Sequence, residues 1–410
     1  MAEALSISVT RVPVLIEKLD TPILLIGPPG IGKTAVTAEA AAILAKKSGK
    51  VLVDLVGEAE RQARYHNVEY IRPRGHEDLV KLYDEVRSEP HRYFVFLRIV
   101  ATQVTPEDLQ YPRFYKGAIL SMLPMMLAFL AVDGVEGILF IDEITNVARE
   151  DTATMLFALI QEKRVGLGGK LSDRVKIVAA GNPESVSSVA RLLPAPLVNR
   201  FVVVNVSPPS VEEYIDYLLT RHSRIDDTVV AYLLLNGEKV LYQPPGEADT
   251  LHNYPTPRSW ERVAVEAWKL ADDDETYRTI LAGLLGPRIG LEFYAFRKLK
   301  PPKPDELLRQ PELLRGLSTE ARMLAIVQLA RFAAEQSSRD GSVAGRLADL
   351  VEKVMRSAPN LAEDLALLLR LITKLRPSLL RLIVAELTRR NAAGLLTEIL
   401  RMHAVDAMGI

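Results

Sequence analysis

Apolar runs and helical stripes alternate through the first two hundred residues, the pattern that builds an α/β sheet. Five runs predict strands: Pro22–Ile26, Phe94–Ala101, Gly137–Ile141, Val175–Ala180 and Phe201–Val206. All but the last lead directly into small, polar or acidic residues, and an open parallel sheet binds its ligands at such carboxyl ends. After Ser207-Pro208-Pro209 the strand signals stop and helical periodicity takes over. Asn236–Pro257, rich in Pro and Gly, reads as a long loop, and Lys298–Pro304 reads as a linker. From Ser318 onward five helical runs follow, separated by Gly341, Pro359 and Pro377, and they share no consensus at a fixed period. The predicted organisation is an α/β core over 1–208 with an insertion at about 51–92, a helical segment over 209–300, and a helical extension over 301–410.

The length of 410 residues is too great for one core and favours two or three domains. A chain 48% hydrophobic and 25% charged is folded, neither disordered nor collagen-like. Lys and Arg number 51 against 52 Asp and Glu, so no global positive field draws the chain to nucleic acid or an anionic membrane. With no cysteine, disulfides, thiolate metal sites and cysteine nucleophiles are excluded together. The six histidines show no metal-ligand spacing. The N-terminal residues lack the features of a signal peptide. The longest charge-free stretch, Gly117–Val132, is shorter than the roughly 20 residues that span a bilayer and predicts a buried helix. A cytoplasmic protein without a membrane span is expected.

The strongest chemical signal is Gly27-Pro28-Pro29-Gly30-Ile31-Gly32-Lys33-Thr34, followed by Ala35 and a helix-compatible run, and preceded by the apolar run Ile23-Leu24-Leu25-Ile26. Glycines allow backbone N–H groups to wrap a phosphate, and the helix N-terminus adds its dipole. Lys33 is placed to reach the β- and γ-phosphates of ATP, and the Thr34 hydroxyl to coordinate Mg²⁺. About 110 residues later a second apolar run ends in Asp142-Glu143. Asp142 would complete the Mg²⁺ shell, and Glu143 would act as general base on the attacking water. The run Val175–Ala180 leads into Asn182-Pro183. An amide there can hydrogen-bond the attacking water or the γ-phosphate, or else form a turn.

In this order the motifs resemble AAA+ ATPases, and within them the MoxR-type branch related to dynein-like modules. The resemblance rests on GPPGIGKT, on ILFIDEIT with the helix after it, on GLGGKLSDRVKIVAAGNP, on LVNRF, and on Tyr254-Pro-Thr-Pro-Arg258-Ser-Trp. It covers roughly residues 5–300. It implies a P-loop core with a parallel five-stranded sheet and a helical lid, while the C-terminal helical extension goes beyond the family's minimal unit. By the same resemblance Asn182 is sensor 1 and Arg258 is the lid's sensor 2. Arg200 looks like the arginine finger that enters the neighbouring subunit's site, with Arg191 the competing candidate. A homo-oligomeric ring, typically a hexamer, is implied, together with a client protein and often a partner carrying a von Willebrand factor A domain.

Two stretches depart from the family pattern. Val51–Arg92 is longer than a compact core requires; its basic-aromatic part reads either as nucleic-acid contact or as a surface insertion packed on the core. Gln110-Tyr111-Pro112 stands where the family usually places a glycine. Ala118–Val132 and Gly166–Asp173 resemble elements that face a central channel, where Met122, Met125 and Met126 form either an adaptable contact surface or core. The tail from Ser318 carries thirteen basic and ten acidic residues, too balanced for a nucleic-acid surface. It serves either to bury the lid and stabilise the ring, or to dock a partner. A nucleic-acid-stimulated motor and an ATP-dependent scaffold with little turnover are the alternative functions.

Overall fold

Strand β2 (Ile23–Ile26) is apolar throughout and almost wholly buried, as a strand covered on both faces must be. It lies inside an eight-stranded sheet, described here from a computed structural model covering residues 5–165, 169–183, 198–222, 224–244, 253–338, 340–395, 397 and 399. The remaining strands are β1 (Ser6–Ser8), β3 (Val51–Asp54), β4 (Tyr70–Ile71), β5 (Tyr93–Val100), β8 (Glu136–Asp142), β9 (Val175–Gly181) and β10 (Val202–Ser207). They run in the order β1-β10-β2-β9-β8-β5-β3-β4, and every pairing in this sheet is parallel.

The five predicted strands are all present, but the sheet is larger than the five-stranded one expected. Strand β3 comes from the stretch read as an insertion, and it pairs with β5 along its whole length, Val51 with Tyr93 through Asp54 with Phe96. Its apolar run is only three residues long before Asp54, and no phosphate-binding motif follows it as one follows the equally short β2. The helices α1 (Val12–Lys18), α2 (Lys33–Ser48), α3 (Glu60–His66), α4 (His76–Ser88) and α6 (Glu150–Glu162) connect the strands.

A second difference lies at Gly117–Val132, expected to be one buried helix. Its first part is strand β7 (Ala118–Met122), paired antiparallel with β6 (Tyr111–Tyr115) in a separate hairpin. The turn is made by Lys116 and Gly117, both at positive φ. Only α5 (Met125–Leu130) is helical, starting after Pro124, and it buries Leu127, Phe129 and Leu130. Met125 and Met126 face outward, and Phe114 and Ile119 on the hairpin are largely exposed.

The chain divides into two units, Met1–Pro209 and Ser210–Ile410. The first carries the sheet. Its core is drawn from β5, β8 and β9 with α5 and α6, and Phe129, Leu139 and Ile141 lie at its centre. Close packing of β8 on β5 leaves no room at Gly137, where a Cβ would lie 2.3 Å from the Val95 carbonyl oxygen and 2.9 Å from Leu130. The second unit is helical, with one continuous apolar core running from Val211 to Ile399. Trp260 is fully buried there and donates its indole N–H to the Val240 carbonyl at 2.7 Å. The helix Thr319–Gln336 packs against Asp227–Asn236 and Ala362–Leu375. Arg331 on that helix is ion-paired with Asp227, and Arg297 with Asp226. Among the described residues, no helix is long and apolar enough to cross a membrane, and no three His, Cys, Asp or Glu residues are grouped to hold a metal.

Two stability predictions follow from this packing. Gly137→Ala should cost about 1–3 kcal/mol, because the obstructing atom is backbone and cannot turn aside; a lowered urea midpoint with an unchanged slope would show it, and an unaltered midpoint would disprove the crowding. Burial pushes the Asp227 carboxyl up to about 6, against the attraction of Arg331. Since that lies above the unfolded value, the folded chain binds this proton more readily, and the stability it contributes is lost as pH rises from about 4 to 6. Arg331→Met leaves an unpaired buried carboxylate at high pH and a neutral acid at low pH. The variant should therefore be destabilised by about 2–3 kcal/mol at pH 8 and by much less at pH 5. Equal losses at the two pH values would show that the pair's charge does not matter.

Candidate active site

The chain order reverses at β2, whose sheet neighbours β10 and β9 both come from much later in the sequence. A crevice at such a switch point is where open parallel sheets bind ligands. Register brings the ends of β2, β9, β8 and β5 to one edge: Ile26 pairs with Gly181, Ile141 with Ala179, and Asp142 with Val100. The phosphate loop therefore leaves the sheet beside Asn182, one strand away from Asp142 and Glu143.

Two glycines make that proximity possible. A Cβ on Gly27 would lie 2.5 Å from the Val206 carbonyl oxygen, and one on Gly181 would lie 2.4 Å from the Thr145 side chain. Gly30 and Gly32 adopt φ of 78° and 107°, a region that L side chains avoid. Ile31 is buried and pins the loop, while Pro28, Pro29, Gly30 and Gly32 stay partly open. Gly32 caps α2, so Lys33, Thr34 and Ala35 form its first turn, with the helix dipole directed at the loop.

Lys33 is buried, and its ammonium group needs compensation. Its Nζ donates to the carbonyls of Gly27 at 2.5 Å and Pro28 at 2.9 Å, and to Asn182 Oδ1 at 3.1 Å. The Asn182 backbone N–H donates to Thr145 Oγ1 at 3.0 Å, which fixes the amide at the end of β9.

Asp142 is also buried. Its Oδ2 accepts from Thr34 Oγ1 at 3.1 Å and from Arg98 Nη2 and Nε at 2.8 and 3.2 Å, while Oδ1 accepts the Glu143 N–H at 3.0 Å. Arg98 pairs in register with Phe140, so it stands diagonally across from Asp142 on the same face of the sheet. A third contact runs from Arg98 Nη1 to Glu58 Oε1 at 2.6 Å. Burial works against the charge on Arg98, but hydrogen bonding and attraction from Asp142 and Glu58 outweigh it and raise the guanidinium pKa. Glu58 is in turn positioned by Asp54 at the end of β3, whose carboxylate accepts the N–H groups of Val56, Gly57 and Ala59.

Glu143 adopts φ 57°, unusual for a residue with a side chain. Its Oε2 accepts from Thr102 Oγ1 at 2.8 Å. Thr102 and Arg98 were not singled out by sequence reasoning. A threonine just past a strand carries no signal by itself. Arg98 does leave one, as the only charge inside the apolar run Tyr93–Val100.

The structure thus brings Lys33, Thr34, Asp142, Glu143 and Asn182 onto one edge. Arg200 is exposed and precedes β10, whose first residue, Val202, pairs with Ile23 at the start of β2. It therefore stands at the opposite, amino edge of the sheet, roughly 13 Å or more from the phosphate loop at the usual rise per residue. Arg191 lies outside the described residues. Arg258 belongs to the second unit, exposed in the first turn of the helix Pro257–Val265, whose start is fixed by a capping box between Thr256 and Ser259. In the hairpin expected at Gly166–Asp173, Arg164 and Lys170 form an antiparallel bridge, and residues 166–168 lie outside the described set.

Thr34 Oγ1 and Asp142 Oδ2 form a pair of hard oxygen donors next to the phosphate loop. That set fits Mg²⁺, which takes one or two protein oxygens and completes its shell with phosphate and water.

No protein-family model matches the chain, and no curated protein matches it. Among solved structures it is similar to a protein of Cytophaga hutchinsonii named as a candidate ATPase, at 13% identity and a TM-score of 0.29 over 92% of this chain and 79% of the other. It is also similar to the ORC2 protein of Aeropyrum pernix, solved in ADPNP–ADP complexes, at 14% identity and a TM-score of 0.27 over 94% and 93%. Scores this low carry no functional argument, and the site stands on its own geometry.

Proposed function

We propose that the chain hydrolyses ATP with Mg²⁺ as a ring-forming AAA+ ATPase of the MoxR type. The observation that carries the reading is the joint placement of Lys33, Thr34, Asp142, Glu143 and Asn182 at one carboxyl edge. The glycine loop and the first turn of α2 hold the phosphates, and Lys33 turns from the loop carbonyls to their oxygens. Thr34 and Asp142 hold Mg²⁺, which would neutralise charge building on the transferred group. Glu143 takes a proton from the attacking water once its carboxylate is free of Thr102, and the Asn182 amide orients that water or the γ-phosphate.

Arg200, on the far edge, serves the adjacent subunit's site in this reading, and Arg258 couples nucleotide to the lid formed by 209–300. Movement of the lid would then remodel a client protein, with a von Willebrand factor A domain protein as partner and the cytoplasm as the setting. A hexamer is the proposed ring. The exposed hairpin β6–β7, with Phe114 and Ile119 outward, is a suitable client contact.

Glu143→Gln should bind ATP yet turn it over at least about 100-fold more slowly, as for loss of a general base. A radiolabelled phosphate-release assay measures it, and unchanged turnover would remove Glu143 from catalysis. Assaying the wild type with added DNA, RNA or candidate proteins separates a remodelling enzyme from a nucleic-acid motor. Arginine fingers contribute on the order of 10³–10⁵ in rate. Arg200→Ala rings should therefore be nearly inactive while still binding ATP. Rings mixed from Arg200→Ala and Glu143→Gln subunits should regain turnover, because some interfaces pair an intact Glu143 with an intact Arg200. Mixed rings as inactive as both parents would rule out a role for Arg200 in trans.

A further inference from the structure

We propose that Arg98 gates the metal site, holding Asp142 against a free divalent cation and passing to Glu58 when the cation arrives with phosphate. The proposal rests on the reading of Thr34 and Asp142 as the Mg²⁺ ligands. Asp142 Oδ2, the oxygen nearest Thr34, already accepts two guanidinium N–H groups at 2.8 and 3.2 Å. A cation cannot approach that oxygen without displacing Arg98, since the two positive charges repel and the oxygen's lone pairs are engaged. Displacement need not strand the guanidinium. Nη1 is bonded to Glu58 Oε1 at 2.6 Å, on a loop fixed by Asp54, so the side chain has a second anchor ready.

The consequence is a condition on loading. A lone cation gains one carboxylate and loses to Arg98. A cation arriving with a polyphosphate brings negative charge that also attracts the guanidinium, and together they open the site. Arg98 is a positioning residue here. The fork that spans Glu58 and Asp142 is a shape lysine cannot reproduce.

The test uses Mn²⁺ as the probe, titrated into the full-length chain without nucleotide and followed by the electron paramagnetic resonance of the free ion. Thr34→Ala and Asp142→Asn should each abolish the binding, which locates it. Arg98→Gln should bind Mn²⁺ about tenfold more tightly than wild type or better, with Arg98→Lys between the two. Glu58→Gln should move affinity the other way, because Arg98 then has only Asp142 to hold. In the Arg98→Gln background the Glu58→Gln effect should vanish. A triad that merely stabilised the fold would shift both single variants in the same direction, and a general loss of negative charge would persist in the double variant. Either result overturns the gate, as does unchanged or weaker Mn²⁺ binding by Arg98→Gln. Binding of a fluorescent ATP analogue in EDTA to wild type and Lys33→Ala is measured alongside. Failure there removes the nucleotide site, whereas nucleotide binding with no change in Mn²⁺ affinity removes the gate alone.

Discussion

A carboxylate buried at the end of an interior strand must be compensated, and at Asp142 that requirement organises the whole carboxyl edge. Its two oxygens accept from three places: the first turn of α2 through Thr34, the neighbouring strand β5 through Arg98, and the turn after β8 through the Glu143 N–H. Removing any one donor leaves a charge in a poorly solvated site, an expensive arrangement. Lys33 poses the same problem with opposite sign, and two loop carbonyls with Asn182 solve it. Anion and cation are thus each satisfied by their own set of partners, and the two sets meet at the adjacent residues Lys33 and Thr34 at the start of α2. The edge is polar, yet it is as tightly specified as the apolar core beneath it.

How much of this was legible in the sequence follows from where each element sits. Strands β5, β8, β9 and β10 could be read because each forms an apolar run long enough to stand out, and the four-residue β2 because the glycine motif follows it. The motif residues could be read because phosphate chemistry demands them at fixed spacing. Strands β1, β3 and β4 are short and have no motif beside them like the one that marks β2, and their neighbours in space make them strands. Ala118–Met122 has the composition of a helix, and only the turn at Lys116-Gly117 and its partner β6 make it half of a hairpin. Thr102 and Arg98 act through contacts with residues about forty positions away. A single chain read in order holds no spacing rule that would join them.

The segment between α2 and β5 changes meaning most. Read as an insertion, Val51–Arg92 had either to pack on the surface or to meet nucleic acid. In the fold it supplies β3 and β4, and Asp54 at the end of β3 folds the next loop back through three backbone N–H groups. The Tyr70 hydroxyl at β4 also points to this carboxylate, and burial followed by the Asp54 charge raises its pKa. Glu58 is carried on the loop so formed. The length that looked superfluous extends the sheet past β5 and places a second acid beside Arg98.

The two edges of the sheet explain why a single subunit is chemically incomplete on the proposed reading. Among the described residues, the guanidinium at the carboxyl edge is that of Arg98, and it is committed to Asp142 and Glu58. Phosphoryl transfer spreads negative charge over three oxygens, and an arginine free to meet it adds to what Lys33 supplies. Arg200 has the chemistry but stands at the amino edge, across the length of β2 and β10 from its own loop. Parallel strands cannot present both of their ends to one site, so on the proposed reading Arg200 of a neighbouring chain supplies the further cation. In the proposed ring, assembly would then be part of the catalytic machinery. In that arrangement a fold that gathers its ligands at one edge leaves Arg200, at its other edge, to serve a neighbour.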